Sequence, residues 1–188
     1  MRVFVALELD EAVRRALGKA LDALARRVSG VKWVRPEAIH ITLKFLGEMN
    51  DADAPGLAEA VAQCAKDSPP TCLEFRGLGA FPSVERPRVV WAGAHETKAQ
   101  GTLARLSQSL DRALAPWGAK SENRAFKPHA TLGRVRRPKP MPELARSLRQ
   151  MEEEPFGRMG VGEVVFMLSD LTPAGPVYTP LSRHRLGG

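Results

Sequence analysis

His40-Ile41-Thr42-Leu43-Lys44-Phe45-Leu46-Gly47 is the stretch whose reading decides the fold, because the chain answers it 89 residues later with His129-Ala130-Thr131-Leu132-Gly133-Arg134. Each copy reads His-x-Thr-Leu. Successive side chains of a β-strand point to opposite faces, so the His and Thr of each copy share one face, while Ile41 with Leu43, or Ala130 with Leu132, take the other. Ile41, Leu43 and Phe45 are therefore expected to build the interior, and His40 and Thr42 to work a cleft. Two such strands facing one another would bring two imidazoles and two hydroxyls to a common point.

The elements around the two copies repeat. Arg2 to Leu9 is rich in β-branched and aromatic residues and reads as a strand. Asp10 caps a helix with apolar positions Val13, Ala16, Leu17, Ala20, Leu21, Leu24 and Val28, stopped by Ser29-Gly30. A short strand over residues 31–35, a turn at Pro36-Glu37 and the motif strand over 39–46 follow. Pro55 then starts a helix through Leu57, Ala60, Val61 and Cys64, Ser68-Pro69-Pro70 closes it, and residues 71–76 form a strand. The order is β-α-β-β-α-β from residue 2 to about 77. Around the second motif the spacing predicts a strand over 88–94 and a helix striped by Leu103, Leu106, Leu110, Ala113 and Leu114. A weak polar strand over 119–126, the motif strand over 128–135, a Pro-rich basic loop, a helix over 142–151 and a strand over 161–168 complete the second unit. A turn at Pro173-Ala174-Gly175-Pro176 adds a last strand over 177–186. The opening strands lie 86 residues apart and the histidines 89, so two units of one plan, an order that the ferredoxin-like split fold uses, place His40 and His129 at equivalent positions.

A chain of 188 residues with 44% hydrophobic content has enough apolar surface for one domain or two closely joined lobes. No run of about 18 apolar residues occurs, and Val3-Phe4-Val5-Ala6-Leu7 is cut short by Glu8 and Asp10, so neither a signal peptide nor a membrane span is expected. Cys64 and Cys72 fit no CxxC or Cys/His pattern; reduced thiols and a cytoplasmic location follow as the expectation. Twenty-eight Lys and Arg against 21 Asp and Glu leave a net charge of +7, which suits a polyanionic partner such as nucleic acid.

Histidine, with an ordinary pKa of about 6.5, lets one ring be neutral while a second is protonated near neutral pH. That is the base and acid pair a hydrolysis needs, and threonine hydroxyls can donate to an anion held between them. No carboxylate, Cys or third His recurs at ligand spacing, and there is no G-x-S-x-G, Walker A or GxGxxG, so neither metal nor cofactor is expected. Arg124, Lys127, Arg134, Arg136, Arg137 and Lys139 follow one another with no acidic residue between, and Lys32, Arg35 and Lys44 crowd the first motif. Together they suggest a phosphate backbone entering beside the histidines, with Lys44, Lys127, Arg136 and Arg137 as candidate contacts. Trp33, Trp91 and Trp117 read as core or interface residues, His95 and His184 as surface residues, and Phe81 and Tyr178 as packing.

RVFVAL at the start, WVRPEAIHITLKFLG, GLGAFPSVERPRVVWAG, FKPHATLGRV and the Gly-Pro-Val-Tyr ending resemble, in order and nearly end to end, blocks of the RNA 2′,3′-cyclic phosphodiesterases, also called 2′-5′ RNA ligases, of the two-histidine phosphoesterase superfamily. The resemblance implies an α+β fold in which residues 1–188 form one bilobal domain. Its two pseudo-twofold-related β-α-β-β-α-β lobes, approximately 2–77 and 88–170 with the strand 177–186 added, would set antiparallel sheets against a central cleft. It implies hydrolysis of an RNA 2′,3′-cyclic phosphate end to a 2′-phosphate without metal. His40 would be the general acid at O3′ and His129 the base that activates water; Thr42 and Thr131 would hold the phosphate oxygens, and Arg134 would add a cation. Strict alternation puts Arg134 on the face opposite His129, so its reach requires a twist or bulge near Gly133, or a side chain wrapping round. A 5′-hydroxyl in place of water would give a 2′-5′ linkage without ATP. The expected partner is RNA with such ends, tRNA fragments included, bound by a monomer with no membrane involvement. Two alternatives stay open: a small cyclic phosphate of the ADP-ribose type, disfavoured by the basic segment after His129, and a non-catalytic RNA-end-binding module, disfavoured by the intact letters of both motifs.

Overall fold

The computed structural model describes residues 1–98, 100–121, 125–137, 139–173 and 175–187. Strand β1, Arg2–Glu8, is buried from Val3 to Leu7. Alternation sends Val3, Val5 and Leu7 into the main core and Phe4 and Ala6 into a small apolar cluster on the other face. Helix α1, Glu11–Arg27, starts where the Asp10 carboxylate accepts a hydrogen bond from Val13 N at 2.8 Å. It buries Val13, Leu17, Ala20, Leu21 and Leu24, the valine and the three leucines each contributing about 1.5–3 kcal/mol against exposure. Strand β2, Val31–Trp33, and a 3-10 turn, Pro36–Ala38, lead into β3, His40–Glu48. Helix α2, Ala54–Lys66, and strands β4, Thr71–Phe81, and β5, Val89–Lys98, follow. Then come α3, Thr102–Leu114, β6, His129–Val135, and α4, Pro142–Gln150. The chain ends with β7, Pro155–Val161, β8, Glu163–Thr172, and β9, Gly175–Arg185. None of these helices is long and apolar enough to cross a membrane.

The strands form one curled antiparallel sheet in the order β7-β4-β5-β6-β3-β1-β8-β9, with β2 also paired to β6. Helices α2 and α3 pack behind β3, β8 and β9, and α1 and α4 behind β2, β4 and β7. The first unit keeps the expected β-α-β-β-α-β order, but the two halves of the sheet do not coincide with the chain segments 2–77 and 88–170. β4 lies between β5 and β7, and β8 holds the free edge of β1. The reason lies in the face of β1 turned away from the helices: Phe4 and Ala6 need an apolar partner, which Val165 and Met167 of β8 supply. Two other expectations change. Residues 119–121 and 125–126 form no strand, and 122–124 lie outside the described residues. The strand expected over 161–168 breaks at Gly162, and β7 precedes it, its buried Phe156, Met159 and Val161 masked in the sequence by Pro155, Gly157 and Gly160.

Candidate active site

β3 and β6 meet where the two halves of the sheet join, with Ile41 paired to Ala130. Residues across an antiparallel pair share a face, so His40 lies across from Thr131 and Thr42 across from His129. Ile41 and Ala130 are fully buried in the core behind, which turns the two histidines and two threonines to the open face.

Each motif then breaks its own alternation in the same way. On β3, Thr42 pairs with Ala6 but Lys44 pairs with Val5, leaving Leu43 as an extra residue; on β6, Thr131 pairs with Trp91 but Gly133 pairs with Val90, leaving Leu132 extra. Such a bulge reverses which side chains face which way beyond it. On β6 it carries Arg134 onto the face of His129 and Thr131, where the guanidinium lines the cleft. On β3 it turns Phe45 outward, 39% exposed, and Lys44 inward, 1% exposed. Both outcomes on β3 correct the sequence reading, which placed Phe45 in the interior and Lys44 among the backbone contacts. The Lys44 ammonium is ion-paired with Asp111 of α3 and donates to the carbonyl of Lys120. It cannot reach RNA without leaving that pair.

The histidine rings are held alike. His40 Nδ1 lies 2.9 Å from the Ala38 carbonyl and His129 Nδ1 2.7 Å from the Lys127 carbonyl. A carbonyl only accepts, so each Nδ1 carries a proton and each Nε2 is left for chemistry. His40 Nε2 lies 3.1 Å from Thr42 Oγ1. Phe4 and Tyr178 pack on the His40 ring with centroids at 4.9 and 5.0 Å, and Phe81 packs edge-on to His129 at 5.1 Å. Burial holds the His40 imidazole below its ordinary pKa, against the raising effect of the Ala38 carbonyl, and the nearby Arg134 charge adds to the lowering.

Two cavities flank this group. One, of about 290 Å³, is lined by His40, Arg2, Lys32, Arg35 and Tyr178; the other, of about 730 Å³, by His129, Phe81, Pro82, Phe126 and Lys127. Thr42, Phe45, Thr131 and Arg134 belong to both. Of the expected backbone contacts, Lys127 is exposed at the second cavity, while Arg136 and Arg137 are exposed after β6 and line neither. Arg124 and Pro138 lie outside the described residues. Trp33 lines the first cavity, Trp91 stacks on Phe81 at 5.2 Å, Trp117 is 38% exposed, His95 is exposed and His184 half-buried. Sequence reasoning missed Arg2, whose guanidinium carbon lies 4.8 Å from the Phe45 ring centroid, since a lone basic residue at a strand start carries no signal. Among the described residues no group of three or more His, Cys, Asp or Glu could hold a metal ion.

A family model described as the 2′-5′ RNA ligase superfamily matches residues 9–172. A protein of Archaeoglobus fulgidus named RNA 2′,3′-cyclic phosphodiesterase is 40% identical, over 96% of this chain and 98% of its own. One of the same name from Methanothermobacter thermautotrophicus is 35% identical over 99% of both. Among solved structures, TT0787 of Thermus thermophilus superposes with a TM-score of 0.82 at 33% identity, covering 100% of this chain and 99% of its own. LigT of Escherichia coli complexed with 3′-AMP superposes at 0.76 with 25% identity, covering 100% and 98%.

Proposed function

The chain belongs to the 2′-5′ RNA ligase superfamily, and from that premise we propose that it hydrolyses RNA 2′,3′-cyclic phosphate ends to 2′-phosphate ends, with two histidines as acid and base. The observation that carries the reading is the convergence of His40, Thr42, His129 and Thr131 on one open face, with Arg134 brought to the same face by the bulge after Leu132. Thr42, Thr131 and Arg134 hold the phosphate oxygens, where fixed donors stabilise charge that grows in the transition state. His129 Nε2 takes a proton from water as its oxygen bonds to phosphorus. The P–O3′ bond breaks, and His40 gives its proton to O3′. The products are a 2′-phosphate and a free 3′-hydroxyl, and a proton exchange with solvent resets the rings. The bound phosphate screens Arg134 and favours the charged form of His40, opposing the lowering that burial imposes on that ring.

A 5′-hydroxyl entering in place of water forms a 2′-5′ phosphodiester by the same steps, with no ATP consumed. The substrate must carry ribose, because DNA has no 2′-hydroxyl to close the ring. RNA fragments, tRNA fragments among them, are the class in view, met by a monomer with Lys127, Arg136 and Arg137 beside the path.

The test is incubation with a short RNA ending in 2′,3′-cyclic phosphate in the presence of EDTA. A 2′-phosphate product is expected, with His40→Ala and His129→Ala each slowing turnover by about 10²- to 10⁴-fold. Full activity in both variants refutes the reading.

A further inference from the structure

The two cavities share their phosphate-holding residues but differ in charge. The His40 side is lined by Arg2, Lys32, Arg35 and Arg134 and, among the described residues, by no carboxylate; the His129 side offers apolar Phe81, Pro82, Val89 and Phe126, with Lys127 and the Asp111-paired Lys44 as its added cations. Displacement at phosphorus sets the entering and leaving oxygens in line on opposite sides of the atom. The acid's side therefore holds O3′, its ribose and whatever is joined 5′ of it, and the base's side holds the entering oxygen. The first group 5′ of the terminal nucleoside in an RNA strand is a phosphodiester with a full negative charge.

A second observation points to an anion on the same side. Lys32 of β2 is paired directly across from Arg134 of β6, and like charges in that position repel. An anion between or beside them turns that repulsion into attraction to both. Arg35, three residues on, spends one donor on the Pro176 carbonyl at 3.3 Å, which ties it to the start of β9 over the cavity. Four further guanidinium donors remain. Arg2 lies along Phe45 with its Nε buried and without a hydrogen-bond partner among the described residues.

Resting on the cyclic phosphodiesterase reading, we propose that the His40-side cavity is a subsite for the phosphodiester immediately 5′ of the terminal nucleotide, with Lys32 and Arg35 as its cations. The enzyme then prefers an oligonucleotide end to a mononucleotide, and the strand leaves the cleft between β2 and the start of β9.

The experiment compares kcat/KM on four substrates with one terminal base: a 2′,3′-cyclic mononucleotide, its 5′-phosphorylated form, the dinucleotide, and the dinucleotide with a neutral methylphosphonate linkage. The dinucleotide is expected to exceed the mononucleotide about tenfold, the scale of one charge-assisted contact, and the methylphosphonate to lose that gain. Lys32→Ala and Arg35→Ala are expected to shrink the ratio, and Lys32→Arg to keep it. Lys66→Ala, which removes the same charge from α2 on the helix-covered side, keeps it too. A ratio near one in the unaltered protein, or one that survives the neutral linkage or both alanine variants, overturns the proposal. A 5′-phosphorylated mononucleotide that matches the dinucleotide also overturns it, in favour of a site for any 5′ phosphate. No turnover on any of the four sinks the phosphodiesterase reading itself, an outcome distinct from equal turnover on all.

Discussion

Asp111→Ala is expected to unfold this protein far more readily than Lys44→Met, although the two residues form one ion pair. The asymmetry follows from burial: the Lys44 side chain is fully shielded, whereas that of Asp111 is 21% exposed. Removing the carboxylate leaves an ammonium in the core with the Lys120 carbonyl and no counter-charge from Asp111, a loss of about 3–5 kcal/mol. Removing the ammonium leaves a carboxylate that water reaches and that Ser121 Oγ still bonds at 2.6 Å. Methionine fills the volume, so about 1–3 kcal/mol is expected from the acceptors left behind. Lys44→Met with Asp111→Leu exchanges the pair for apolar packing and is expected to recover most of the Asp111 loss. Urea unfolding at pH 7 with unchanged m-values reads all three. Thermal midpoints move by about 2–4 °C per kcal/mol in a chain of this size. An equal or larger loss in Lys44→Met, or a double variant as unstable as the sum of the singles, refutes the reasoning.

Burial of His40 predicts that NMR titration of the free protein finds its midpoint below 6.5, and that inorganic phosphate or Tyr178→Ala moves it up; a midpoint at or above 6.5 in the free protein contradicts the site as described. The sign for stability follows: between 6.5 and the lowered folded value the unfolded chain binds the proton that the folded one refuses. Stability should fall as pH drops through that window, and His40→Gln should flatten the slope in urea titrations. Gly133→Ala places a Cβ 2.7 Å from both Trp33 Cε3 and Val31 Cγ1, so β2 must yield. A loss of about 1–3 kcal/mol is expected, with KM rising more than kcat falls as Lys32 and Arg134 shift; unaltered stability would show that β2 does not pack there.

The local periods of the sequence suffice for β1, α1, β3, α2, α3, β6 and α4, because each is a single segment whose apolar spacing is its own. The doubled His-x-Thr letters likewise suffice to place both imidazoles and both hydroxyls on polar faces. Tertiary structure alone decided three things. β8, not β4, took the second edge of β1, since the face bearing Phe4 and Ala6 had to be covered by whichever strand brought Val165 and Met167. Arg2, Lys32 and Arg35 became walls of one cavity because β1, β2 and the Pro36–Ala38 turn converge on the cleft. Phe45 turned to the cleft and the Lys44 ammonium to Asp111 at a bulge on Leu43, and a bulge on Leu132 supplied the reach that Arg134, named by the resemblance, required. Alternation is a property of one strand and can be counted along the chain. A bulge is a mismatch in residue number between two paired strands, and it comes into being only when both are in place.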